Sequence, residues 1–318
     1  MKRTLKTLVI GASMAVGVSA IASNPAQAGV LTNATITGND YIKYNVNGTN
    51  TEEAPGADLA TILTGDSSSP TGNVELFASS EKAPLFTTST NTTQRVLALR
   101  NFFNYNQVTT LSGEINGKQI SLSSLTATDW FGASSVQAVT GAATNTLLNN
   151  AINGLYNSSN LATQWFNTTL STYGVTANQT LFNTFLLAGG FQRFSDPNIS
   201  YVNQNDTTGE IKIGLAGHLN AATLLGLNPE NKIQVSELVK VSYNGGPSEI
   251  LYSYKASDSG LISKDGTKSH NGNYEVTIQG IPVPTPEPTA VPEPSVVLGI
   301  LGVAGIVATQ RKLKKVSG

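Results

Sequence analysis

Apolar and polar residues alternate with a period of two through much of residues 29–125 and again through 199–280. Between them, residues 126–190 place apolar side chains every three to four positions. The first pattern predicts half-buried strands, the second amphipathic helices. Strands are expected at 30–32, 34–37, 41–46, 74–77 and 95–103. A hairpin is expected over 111–122, turned by Asn116-Gly117 and carrying Glu114 and Lys118 as a cross-strand charge pair. Residues 47–73, rich in turn formers, predict a long exposed loop.

In the central segment Leu147, Leu148, Ile152 and Leu155 recur at helical spacing, as do Leu161, Trp165, Phe166 and Leu170, with Gly174 as a C-cap. A further helix is expected over 176–187, ending at Gly189-Gly190. Trp130 and Trp165 belong in the core between these helices. Beyond it, Asn205 to Gly209 predicts a turn and 210–215 a strand, followed by a short helix over 219–225 that Gly226 and Pro229 stop. A second hairpin, 238–243 with 249–254, and a last strand at 274–278 complete the set. No period of 20–50 residues is visible, which argues against a solenoid or propeller. The fold class expected is α+β: an antiparallel sheet from both ends of residues 29–280, with the central helical segment packed against it.

The two ends of the chain follow neither pattern. Lys2, Arg3 and Lys6 precede an apolar run over residues 7–21, and Ala26-Gln27-Ala28 forms an A-x-A site. This is the layout of an export signal cut by signal peptidase, with Gly29 as the first mature residue. Residues 281–294 carry six prolines and predict an extended spacer of roughly 40 Å. After it, residues 295–309 are apolar and glycine-containing, and residues 310–318 are basic through Arg311, Lys312, Lys314 and Lys315. The apolar core of that segment, 14 residues from Val296 to Thr309, spans only ~21 Å as a helix against a hydrocarbon thickness of ~30 Å. That suits a transient membrane anchor, with the basic end cytoplasmic and the domain outside.

Val291-Pro292-Glu293-Pro294-Ser295, the apolar run and the basic end together resemble a PEP-CTERM sorting signal, the bacterial tag read by exosortase-type membrane proteases. The resemblance covers about the last 27 residues. It implies cleavage near the Pro-Glu-Pro triad and delivery to the cell surface or extracellular matrix. Two internal runs, 189–203 and 269–277, are similar to a cyanobacterial family of PEP-CTERM proteins, and this similarity brings no catalytic residues with it.

Composition narrows the partners. Removing residues 1–28 takes three of the 19 Lys+Arg and none of the 20 Asp+Glu, so the mature formal charge is about −4, and about −8 without the basic tail. Such an acidic chain is not built to hold nucleic acid. With no cysteine, disulfides are excluded, and stability rests on burial. Two histidines, His218 and His270, offer no zinc spacing, and no cofactor is expected. Asn203, Asn205, Asp206 and Glu210, and separately Asp258 and Asp265, cluster without EF-hand order. No G-x-S-x-G, Walker or dinucleotide motif is present. Arg193 and Asp196 are the candidate pair for a ligand pocket or a structural junction between helices and sheet. The expectation is a non-enzymatic exported protein of the surface or exopolysaccharide matrix, with extracellular polysaccharide as a partner. The alternatives are a secreted glycoside hydrolase, for which two carboxylates suffice, and a calcium-dependent adhesin.

Overall fold

The computed structural model describes residues 29–77 and 92–283. By internal contacts the chain divides into two compact units, residues 1–282 and 283–318. Among the described residues the first unit is α+β. Its larger sheet contains β1 (Gly29–Val30), β3 (Tyr41–Asn47), β4 (Asn50–Glu53), β5 (Gly72–Leu76), β8 (Asn198–Gln204), β9 (Glu210–Gly217), β12 (Ala256–Asp258), β13 (Ile262–Ser263) and β14 (Gly272–Gln279). They run in the order β12-β14-β9-β8-β5-β3-β4-β13, with β1 beside β8. The smaller sheet contains β2 (Thr32–Thr37), β6 (Thr110–Ile115), β7 (Lys118–Ser123), β10 (Val239–Tyr243) and β11 (Glu249–Leu251), in the order β11-β10-β7-β6-β2. The pairings are antiparallel except β13 with β4.

The larger sheet cannot be flat. β12 and β13 lie at its two ends, yet only residues 259–261 separate them in the chain. Eight flat strands would hold those edges about 30 Å apart, whereas four peptide steps reach at most ~14 Å. The sheet is therefore curled until its edges almost meet, and residues 259–261 bridge the seam.

Alternation sets which face each strand buries. Ile211, Ile213 and Leu215 of β9 and Val74 and Leu76 of β5 pack with Leu111, Ile115, Ile120 and Leu122 of the β6–β7 hairpin in one core between the sheets. The hairpin turns as expected at Asn116 (φ 49°) and Gly117 (φ 71°), but its register sets Glu114 opposite Gln119, not against Lys118. Gln119 Nε2 donates to Glu114 Oε1 at 2.7 Å.

A second core fills the helical layer, built from α2 (Thr92–Asn104), α3 (Ala127–Phe131), α4 (Ala133–Thr140), α5 (Asn145–Gly154), α6 (Leu161–Thr172), α7 (Gln179–Leu187) and α8 (Gly190–Arg193). Threonine stands at the N-cap of α3 and α5, and asparagine at that of α6 and α7. Asn160 caps α6 by accepting from Thr163 N, and Asn178 caps α7 by accepting from Leu181 N. The second cap is why α7 begins at Gln179 and not at Thr176. α6 ends in a Schellman motif: Gly174 sits at φ 72°, Gly174 N donates to Ser171 O, and Val175 N donates to Leu170 O.

Three sequence expectations are corrected. Residues 95–103 lie in helix α2, not in a strand. Their buried members, Ala98, Leu99, Phe102 and Phe103, fall at helical spacing that the β-prone composition masked. Residues 47–73 are not one exposed loop, because they hold β4 and a helical turn, α1 (Leu59–Ile62), with Ile62 and Leu63 buried. The helix expected over 219–225 is a 3₁₀ turn, Ala222–Leu225, ended by Gly226 at φ 72°. Pro229 then opens a second short 3₁₀ turn, Pro229–Asn231.

Candidate functional site

The face of the larger sheet that turns away from the apolar core is polar and largely buried. Asn73 and Glu75 alternate with core residues on β5, Lys212 and Gly214 on β9, and Asn273 and Glu275 on β14. A bulge in β8 brings Ser200 and Tyr201 to this face together. Gly214 is required beneath them, since a Cβ there would lie 2.1 Å from the Tyr201 ring and 2.5 Å from Ser200 Oγ. The ring crosses this gap so that Tyr201 Oη donates to Glu275 Oε2 at 2.9 Å, while Lys212 Nζ holds Glu275 Oε1 at 2.9 Å. Tyr44 Oη donates to Glu75 Oε2 at 3.1 Å. Burial, then the neighbouring carboxylates, push both phenols far above the ordinary tyrosine value, so both stay protonated and able to donate.

Residues 64–69 cover part of this face. Asn203 Nδ2 donates to Gly65 O and Asn273 Nδ2 to Ser67 O. These carbonyls cannot donate, which fixes the orientation of both amides. Their Oδ1 atoms, with Asn73 Oδ1, Asn198 Oδ1 and Ser200 Oγ, have no hydrogen-bond partner among the described residues. Groups in this position are ordinarily satisfied by ordered water.

At the seam the polar face opens into a pocket of about 390 Å³. Tyr44, Thr51, Glu52 and Glu53 form one wall from β3 and β4. Ser263, Lys264 and Asp265 form the other. His270 stands behind it, its ring edge-on to Tyr44 at 4.6 Å. His270 Nδ1 is 2.7 Å from Thr51 Oγ1, and His270 N donates to Ser263 Oγ. Its Nε2 has no partner among the described residues, and the residue is 2 % exposed. Burial pulls its pKa down to about 4, so the ring is neutral above that value. Lys264 pairs with Glu52 at 2.5 Å and, with Asn47, holds that carboxyl below the usual range.

The candidate pair Arg193 and Asp196 lies elsewhere. Arg193 ends α8, and Asp196, 3 % exposed, lies between α8 and β8. Around them Trp130 Nε1 donates to Ser195 Oγ, and Ser195 Oγ donates to Phe191 O, both at 2.7 Å. The place is the helix–sheet junction. Glu237 is packed into it, its Oε2 accepting from Asn198 N at 3.3 Å and Asn198 Nδ2 at 3.4 Å. Part of the residue reaches the surface, but its carboxyl is enclosed. Burial first, then Glu75 and Asp196, raise its pKa well above the ordinary glutamate value. A raised value means stability present at low pH and lost as pH rises through the folded value. Glu237→Gln keeps the acceptor and removes the charge. Its melting temperature is expected to exceed the parent's at pH 8, with the gap closing toward pH 4. A gap that persists at pH 4 would refute this account.

The clustered calcium candidates are engaged in turns. Asn205 Oδ1 accepts from Thr207 N and Thr208 N, Asp206 Oδ1 from Gly29 N and Asn116 Nδ2, and Asp258 Oδ1 from Gly260 N. Asp265 Oδ1 accepts from Thr267 N and Oγ1. Among the described residues no group of three or more His, Cys, Asp or Glu is placed to hold a metal ion. No described helix is long and apolar enough to cross a membrane. Ala26 and Ala28, the sorting residues Val291 to Ser295, and the basic residues Arg311, Lys312, Lys314 and Lys315 lie outside the described residues. Gly29 is the first residue of β1 and pairs with Gln204.

Nothing in the sequence singled out the pocket. Its walls are far apart in the chain and meet only because the sheet curls. The nearest signals are Asp265, one of the clustered acidic candidates, which lines the pocket, and the run 269–277, whose His270 stands behind it. Comparisons with family models, curated proteins and solved structures find no match to this chain.

Proposed function

We propose that the folded unit is a non-enzymatic binding component of the cell surface or exopolysaccharide matrix, exported by its N-terminal signal and sorted by the C-terminal tag resembling PEP-CTERM. The observation that carries the binding half is the seam pocket, where an aromatic ring, two hydroxyl side chains and several carboxylates share one open hollow. Sugars are held by such combinations, with rings against aromatic faces and hydroxyls bonded to carboxylates. Two measurements test the two halves. Replacing Pro292, Glu293 and Pro294 with alanine is expected to leave the tail uncleaved and the protein in the membrane fraction. Unchanged mass and location would overturn the sorting. The purified domain is expected to be retained on extracellular polysaccharide, and failure to be retained would overturn the binding.

A second reading, a carbohydrate-active hydrolase, is favoured by one observation: Glu53 and Asp265 face the same pocket. Against it, Glu237, the carboxyl whose pKa burial raises, does not line the pocket, and Glu52 is tied to Lys264. Turnover of polysaccharide by the domain, abolished in Glu53→Gln, would establish the hydrolase instead.

A further inference from the structure

We propose that the sugar taken by the seam pocket carries a protonated amine. This rests on the pocket being a polysaccharide site and names the class of sugar. Three carboxylates and one lysine line the hollow, and the lysine is committed to Glu52. Among the described residues neither Glu53 nor Asp265 is ion-paired. The two approach from opposite walls, Glu53 as the cross-strand partner of Tyr44 and Asp265 from the segment beyond the seam. Both are close enough to the Tyr44 hydroxyl to disfavour its ionisation. The half-buried Tyr44 ring therefore lies beside two carboxylates that have no ion-pair partner among the described residues, as well as the Glu75 that its hydroxyl bonds.

A neutral sugar would leave those charges facing its hydroxyls. A uronic acid would add a third negative charge and be repelled. An ammonium group between Glu53 and Asp265 makes two charge-assisted hydrogen bonds, with the sugar ring left to pack on Tyr44. Thr51 and Ser263 supply hydroxyls at the base, and the unpartnered Nε2 of His270 lies just behind the wall that these residues form with Tyr44.

Calorimetric titration of the purified domain at pH 6 with three trisaccharides tests this: β-1,4-linked glucosamine, its N-acetylated form, and a neutral glucose trimer. The glucosamine trimer is expected to bind at least about 10-fold more tightly than the other two, with affinity falling as salt is raised. Glu53→Gln and Asp265→Asn are each expected to weaken it about 3–10-fold, a range set by the solvent screening of an open pocket. Both carboxylates are exposed, and the side-chain amide oxygen introduced by Asp265→Asn can still accept from Thr267, so the variants are expected to melt with the parent. Equal binding of all three trimers would overturn the amine and leave the polysaccharide site standing. No binding of any would overturn both.

Discussion

Replacing Trp165 with alanine is expected to lower the unfolding free energy by about 3–5 kcal/mol. Its ring lies 4.9 Å from Phe194, 5.4 Å from Trp130, 5.9 Å from Phe185 and 6.0 Å from Phe191, and the residue is fully buried. A cavity of that size among rigid aromatic rings cannot collapse without moving several of them. The two tryptophans separate packing from hydrogen bonding. Trp130 Nε1 bonds Ser195 Oγ, whereas Trp165 Nε1 has no partner among the described residues. Trp130→Phe is therefore expected to cost about 1 kcal/mol more than Trp165→Phe, which removes an unsatisfied donor along with the lost volume. Urea unfolding of the three variants reads this directly. Equal costs for the two phenylalanine variants would show that the Ser195 bond contributes nothing.

Acid is expected to loosen the seam. An unfolded histidine titrates near 6.5, and folded His270 only near 4. Below pH 6.5 the unfolded chain binds a proton that the folded chain refuses. Stability is therefore full above pH 6.5 and is lost as pH falls toward 4, by about 3 kcal/mol for His270. Asp265, which favours the charged ring, and His218, which opposes it, are included in that folded value. His218, also held near 4 by burial and then by Arg193, acts in the same direction. Glu237 acts in the opposite sense over part of this range, so the informative quantity is the difference between parent and variant. His270→Asn keeps an acceptor for Thr51 and cannot titrate. Its stability is expected to fall less steeply than the parent's between pH 6.5 and 4, and parallel curves would sink the assignment.

Local signals in the sequence carried what local physics controls. Asn116-Gly117 marked its hairpin because few other residues accept two positive φ angles in succession. The spacing of Leu161, Trp165, Phe166 and Leu170 marked α6 because the helix must bury one stripe. Residues 95–103 failed because Val, Leu and Phe suit strand and helix alike, and only the buried set, Ala98, Leu99, Phe102 and Phe103, shows which period applies. The candidate site was the least legible part. Tyr44, Glu53, Asp265 and His270 are joined by closure of an eight-strand path, and nothing near any one of them encodes the curl. Arg193 and Asp196 stood out by their aromatic setting, and that setting turned out to be the packing of the helix–sheet junction.

The bridge across the larger sheet works as a clasp. Its parallel contact is only two residue pairs long, Ile262 with Asn50 and Ser263 with Thr51, and the His270–Thr51 bond and the Lys264–Glu52 pair fasten beside it. The pocket straddles this fastening, one wall on each side. Whatever occupies it touches both halves of the clasp, so occupancy and closure are linked: filling the pocket strengthens this short joint, and opening the joint empties the pocket.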